Sequence, residues 1–335
     1  MRVFRGTVLV VALIAVLTVV GAQPAAAVTP AWVKAPVVPV LGKQDQAKLR
    51  LRVSAGAELG LRRGVFAKVG DSNTEFAPNF YGLACRRPVA LPPGLRPTLT
   101  RYNRIRIANP RGMPECRPNT SFSRRSSAAQ AGVHSTWSLT PVKDLPDKSY
   151  WKKPPGCDLE TTPLDCELDA TLPRYAMVML GTNDVGMDIG FGLQPGSHTV
   201  SRVGSVIDRL LARGVVPVLS TIPPLYVQDP DYQGQVTRGV ARLNAGIWKL
   251  SRMYRLPMVN LWRALQGPAV INRGLSEDGL HLSVFGAGTK MIDVDPGPTT
   301  LADSVNFSRN ALRYGANRHN LIWLKTLARL DRITG

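Results

Sequence analysis

A hydroxyl, an amide, a carboxylate and an imidazole stand in three short stretches of this chain: Gly70-Asp71-Ser72-Asn73, Gly181-Thr182-Asn183-Asp184 and Asp278-Gly279-Leu280-His281. A serine hydroxyl is a poor nucleophile at neutral pH. An imidazole must take its proton, and a carboxylate must fix the tautomer of that imidazole and stabilise its charged form. Ser72, His281 and Asp278 can fill those three roles. Asn183 can aim an amide N–H at an oxygen that becomes anionic, an interaction whose loss costs on the order of 10²–10³ in turnover. Taken singly, the stretches have plainer readings: Asp-Ser-Asn as a helix cap and Asn183 in an Asx turn. The third stretch resists such a reading. Asp278 and His281 are three apart, so on a turn or a starting helix they share a face and the carboxylate reaches the ring. Of the four histidines, His134, His198, His281 and His319, only His281 has an acid so placed within a Gly-punctuated loop, with His134 and His198 as formal competitors.

The residues around each stretch predict how it is held. Gly64 to Val69 is a short, mostly apolar run closed by Gly70, which reads as a buried strand entering a tight turn, with a helix starting near Ser72. Tyr175 to Leu180, broken by Gly181, repeats the pattern, so Asn183 also lies just past a strand end. Reactive groups of an open α/β sheet gather at the carboxyl ends of its strands. Further strands are expected near Ser121, at Val215–Ser220 and at Pro257–Leu261, with helices at Lys43–Gly60, Val200–Arg213 and Gln235–Tyr254. Strands alternating with amphipathic helices argue a parallel sheet covered on both faces. Gly186 to Gly196 reads as a mobile rim, and a terminal helix around Leu321–Leu330 as docking on the sheet. The stretch from Ala84 to Leu172 is too long for a bare loop.

From about Gly64 to about Thr289 the chain resembles the SGNH hydrolases, also called GDSL-type esterases and lipases. The resemblance implies an α/β fold, three-layer α/β/α with a central, mostly parallel, flavodoxin-like sheet. It carries the family's nucleophile onto Ser72, its Asp-x-x-His onto Asp278 and His281, and its oxyanion-binding asparagine onto Asn183. The backbone N–H of Ser72 and a glycine of the second block complete that oxyanion hole. Gly132 is the choice for the glycine, since it follows the strand-like Thr120–Ser123 and precedes an amphipathic stretch; Gly112 and Gly82 are the alternatives. Asn73 stands where the family name has Leu, a position that does not touch the chemistry. No Gly-x-Ser-x-Gly elbow occurs, so the commoner α/β-hydrolase reading has no nucleophile to use. What the resemblance implies is hydrolysis of carboxylic esters through an acyl-enzyme on Ser72, with no metal or organic cofactor. An acyltransferase or deacetylase acting on cell-envelope or plant polysaccharide is the alternative, and a non-catalytic basic surface-binding protein is the alternative from another class.

The 335 residues are 44% hydrophobic and 19% charged, ordinary for a globular protein. Residues 1–27 stand apart, with Arg2 and Arg5, an apolar Val8–Val20 and Ala25-Ala26-Ala27 in the order of a secretory signal peptide. Residues 28–57 then read as an N-terminal leader or linker, extended to about residue 42, and 58–335 as one hydrolase domain with an insertion at about 84–172 and a C-terminal helical extension. Export to the extracellular space or the cell envelope makes disulfides the natural use of four cysteines. Cys157 with Cys166 brackets an acidic, Pro-containing loop, which leaves Cys85 with Cys116. The cysteines lack Cys-x-x-Cys pairs and a nearby His, so metal binding is a poor reading. Net charge is +19, or +17 once Arg2 and Arg5 leave. Such a surface attracts polyanions, among them acidic envelope polymers and anionic lipid headgroups, but no nucleic-acid motif is present.

Overall fold

The computed structural model describes residues 29–107, 119–146, 156–293 and 296–335. Four strands form one all-parallel sheet in the order β1 (Arg62–Gly70), β2 (Pro173–Met179), β3 (Val216–Ser220) and β4 (Met258–Val259). The register runs Gly70 opposite Met179, Val178 opposite Leu219 and Ser220 opposite Val259, which brings the carboxyl ends of β1 and β2 side by side. Helices Lys43–Glu58 and Gly315–Thr334 pack on each other, and the first also on β2 and β3. Helices Ser197–Ala212 and Pro230–Tyr254 pack on each other and on β3. The result is the three-layer α/β/α sandwich expected from strands alternating with amphipathic helices. β1 is buried from Gly64 onward and β2 and β3 almost throughout, as strands covered on both faces must be.

Three local expectations differ. Residues 121–123 form a turn, not a strand. Hydroxyls take the backbone's place there: Thr120 N–H donates to Ser123 Oγ, and Ser121 Oγ accepts from Phe66 N–H of β1. The pairing with β1 falls instead to Ala128–Gln130, where Gly70 N–H donates to Ala128 O and Gln130 N–H to Gly70 O. The leader, second, is not extended. Residues Ala31–Lys34 form a short helix whose Trp32 is 4% exposed, and the Asn260 side chain donates to Trp32 O. Third, the glycine-rich rim is ordered: helix Thr182–Gly190 runs through Gly186, and Asp188 accepts from Leu193 N–H and Gly196 N–H to close the loop that follows.

Three buried charged residues hold the long segment before β2 together and against the sheet. Arg124 and Glu167, both 2% exposed, make a two-pronged ion pair at 3.0–3.1 Å, and Glu167 also accepts from Ser127 N–H. Lys68, the one charged residue in the buried run of β1, donates to Phe122 O at 3.0 Å and lies 4.0 Å from the centre of the Tyr81 ring. Burial lowers its pKa to about 7, the Glu167 carboxylate working in the other direction. Cys157 and Cys166 are bridged. Cys85 is disulfide-bonded, while Cys116, the partner assigned to it, and residues 1–27 lie outside the described residues.

Candidate active site

Both strand ends are shaped by a glycine. A Cβ on Gly70 would fall 2.0 Å from Thr74 Oγ1 and 2.6 Å from Met179 O, so no other residue fits where β1 turns into the helix Ser72–Glu75. Gly181 has φ +118°, and a Cβ there would meet Leu243 at 2.4 Å. The chain thus turns sharply after β1 and again after β2, delivering Ser72 and Asn183 to the same edge of the sheet.

At that edge Ser72 Oγ lies 2.9 Å from His281 Nε2, and His281 Nδ1 lies 2.5 Å from Asp278 Oδ2. The Nδ1 hydrogen bond to a carboxylate puts the ring proton on Nδ1 and leaves Nε2 to accept the serine proton. Asp278 Oδ1 also accepts from Ser276 Oγ and from the N–H groups of Leu280 and His281. Burial works to raise its pKa, but the bonds from the His281 ring, the two N–H groups and Ser276 outweigh it and hold the carboxyl well below the usual range. Phe76 stacks on the His281 ring at 4.3 Å between centres. Two of the other histidines stand elsewhere, His198 exposed and His319 buried with its Nε2 accepting from Trp323 Nε1, whereas His134 is near the relay, in the lining of the adjoining cleft. His134 bonds Thr136 Oγ1, and burial lowers its pKa.

Asn183 and Gly132 line a cleft together with Asp278, Gly279 and Leu280. Asn183 Nδ2 donates to Val133 O at 2.8 Å, which spends one of its two amide hydrogens. The neighbouring Asp184 accepts from Ser135 N–H and Oγ, so consecutive residues pin the segment that carries Gly132. Glu75 accepts from Ala131 N–H from the other side. Gly82 packs against Leu301 and is not in the cleft lining, and Gly112 lies outside the described residues.

Two residues at the nucleophile stretch couple it to the other two stretches. Asp71 is fully buried, and its carboxylate accepts from Asn73 N–H at 3.1 Å and Thr182 N–H at 3.2 Å. Burial raises its pKa to about 6 against the pull of those bonds. Asn73, also fully buried, donates from Nδ2 to Leu280 O and accepts from Leu282 N–H at Oδ1, so it holds the chain on either side of His281. The sequence reading set this position apart from the chemistry. A polar residue at a site where the family name puts leucine was the one signal available.

A parallel α/β/α sheet with hydroxyl, imidazole and carboxylate in a row at its strand ends is the architecture of a hydrolase. Residues 156–288, which hold Asn183, Asp278 and His281, match the family described as GDSL-like Lipase/Acylhydrolase. Among solved structures, a GDSL-like lipase from Bacteroides thetaiotaomicron aligns at 16% identity over 71% of this chain and 90% of its own, with TM-score 0.38. A structure from Streptococcus pneumonia, described by reference to platelet activating factor, aligns at 16% identity over 72% and 86%, with TM-score 0.39. No curated protein matches the chain.

Proposed function

We propose that this chain is a secreted serine esterase that hydrolyses carboxylic esters through an acyl-enzyme. Ser72 Oγ attacks the carbonyl carbon as His281 Nε2 takes its proton, and Asp278 keeps the Nδ1 proton in place and stabilises the imidazolium that forms. The negative oxygen of the tetrahedral intermediate is held by the backbone N–H of Ser72, the remaining amide hydrogen of Asn183 and the N–H of Gly132. Collapse breaks the ester bond, and His281 returns the proton to the departing alcohol. Water then attacks the acyl-enzyme with His281 again as base, releasing the acid and restoring Ser72.

The observation that carries this reading is the row of contacts in which His281 Nε2 lies 2.9 Å from Ser72 Oγ, 209 positions away in the chain, and His281 Nδ1 lies 2.5 Å from Asp278 Oδ2. A carboxylate, a fixed ring tautomer and a hydroxyl in line are costly to assemble and have no packing purpose that apolar residues would not serve better. Secretion is supported by the signal-like residues 1–27 and the Cys157–Cys166 bridge. The test is labelling with a fluorophosphonate, which needs an activated serine. Wild type is expected to label at Ser72 and to cleave p-nitrophenyl esters, with both lost in Ser72→Ala. A protein that neither labels nor turns over any ester is a binding module instead.

A further inference from the structure

The cleft beside the relay has a volume of about 620 Å³, far more than an acetyl group needs. Its lining includes Asn183 and Gly132 and also Asp278, Gly279 and Leu280, the residues that lead into His281, whose Nε2 lies 2.9 Å from Ser72 Oγ, so the cleft adjoins the relay. The rest of its lining is mostly apolar, with Leu225, Tyr226, Val227, Tyr232, Val236 and Met187, and has His134 and Thr182 as its further polar side chains. Among the described residues no Arg, Lys, Glu or Gln lines it, and its one carboxylate, Asp278, is already saturated by donors. A sugar ring needs forked polar side chains to pair its hydroxyls; these walls offer almost none.

The apolar surface also continues outward. Met187 is 37% exposed and Tyr226 50%, and Phe191, at 72%, follows Met187 by four residues with its N–H on Met187 O, which puts it on the same helix face. A chain too long for the cleft therefore meets methionine and phenylalanine as it leaves.

We infer that the cleft takes the apolar chain of a hydrophobic ester, so that the preferred substrates carry medium-length or long acyl or alkyl groups and not the acetyl groups of carbohydrate. This rests on the ester-hydrolase reading and narrows it. Each methylene that leaves water for the cleft raises kcat/KM by about fourfold while the chain still lies inside.

Two substrate series below their aggregation concentrations test this: p-nitrophenyl esters from acetate to decanoate, and acetate esters of alcohols of the same lengths. A steep rise in either series, reaching about two orders of magnitude within the first three or four added methylenes, is expected, and the series that rises tells which side of the ester the cleft holds. Gly186→Leu then fills the cleft from within: a Cβ there meets only Tyr232 Oη, at 3.6 Å. It should lower the octanoate-to-acetate ratio about tenfold or more, and Met187→Glu, on an exposed helix surface, should do the same if Gly186→Leu does not fold. Turnover that is flat with length in both series, or unchanged ratios in folded variants, overturns the inference while leaving the esterase reading intact. Absence of both turnover and Ser72 labelling removes the esterase reading first.

Discussion

Asn73→Leu isolates the coupling between nucleophile and base. Leucine has the same branched skeleton as asparagine with bulkier methyl groups in place of the amide oxygen and nitrogen, so the substitution opens no cavity; what it removes is the pair of hydrogen bonds to Leu280 O and Leu282 N–H. Each buried group left without a partner costs about 1–3 kcal/mol, so unfolding free energy should fall by about 2–5 kcal/mol. The consequence for chemistry is distinct from this loss. Asp278 and His281 are three residues apart and keep their own contact, whereas the 2.9 Å contact from His281 to Ser72 spans two elements that Asn73 ties together. A displacement of about 1 Å at such a contact costs on the order of 10² in rate. Asn73→Leu should therefore reduce kcat and the rate of fluorophosphonate labelling together, by about 10- to 100-fold, with KM nearly unchanged. Stopped-flow labelling beside steady-state kinetics, at a temperature where urea titration shows the variant folded, makes the measurement. A variant that is destabilised yet labels within twofold of wild type would refute the argument, because the clamp would then serve only the fold.

Asn183→Ala should lower kcat by about 10²–10³ with modest effect on KM, since its amide acts on charge that exists only in the transition state; esterase kinetics decide it. Asp278→Asn should lower kcat/KM on the order of 10⁴ by presenting an amide to His281 Nδ1 in place of an acceptor. Because the folded Asp278 holds its carboxyl below the usual range, its contribution to stability is present above pH about 4 and is lost as pH falls further, a loss the asparagine variant should not show in melting curves. Asp71 has the opposite sign: burial raises its pKa to about 6, so the wild type gives up stability as pH rises from about 4 through 6. The difference between Asp71→Asn and wild type should accordingly move in favour of the variant by about 3 kcal/mol across that window, whatever constant offset the lost acceptor adds. Arg124→Met leaves Glu167 ionised and unpaired in the interior and should cost about 3–5 kcal/mol in urea unfolding, measured without reference to activity.

The parts of this molecule that were legible in the sequence are those in which one residue type has few other uses. Runs such as Tyr175–Leu180 and Val215–Ser220, each ended by a glycine, a serine or a short polar turn, become β2 and β3 because a strand covered on both faces must be apolar throughout. Asp278 and His281 were legible as a pair because three residues of separation fix their reach. Illegible were the places where side chains stand in for backbone. Thr120–Ser123 has strand-forming residues, but its hydroxyls bond the chain locally and accept from Phe66, which no hydrophobic period reports. The segment around Trp32 looked like a proline-rich leader, and partners more than two hundred residues away, the Asn260 amide, the Arg263 guanidinium and the Trp262 ring, explain why it folds down.

A related rule governs how the three stretches converge. In the first two, the residue offered to chemistry is followed or preceded by one whose side chain crosses to another part of the site: Asp71 to Thr182, Asn73 to the carbonyl and N–H either side of His281, Asp184 to Ser135 beside the Gly132 segment. Backbone pairing cannot do this work, because β1 and β2 have ended and the remaining connections are turns with unpaired groups. Short buried side chains supply the missing partners and, being nearly free of rotamer entropy once buried, do so with little slack. The neighbours of the reacting residues should therefore tolerate substitution no better than the reacting residues themselves, although their loss would register as misplacement and altered stability in place of missing chemistry.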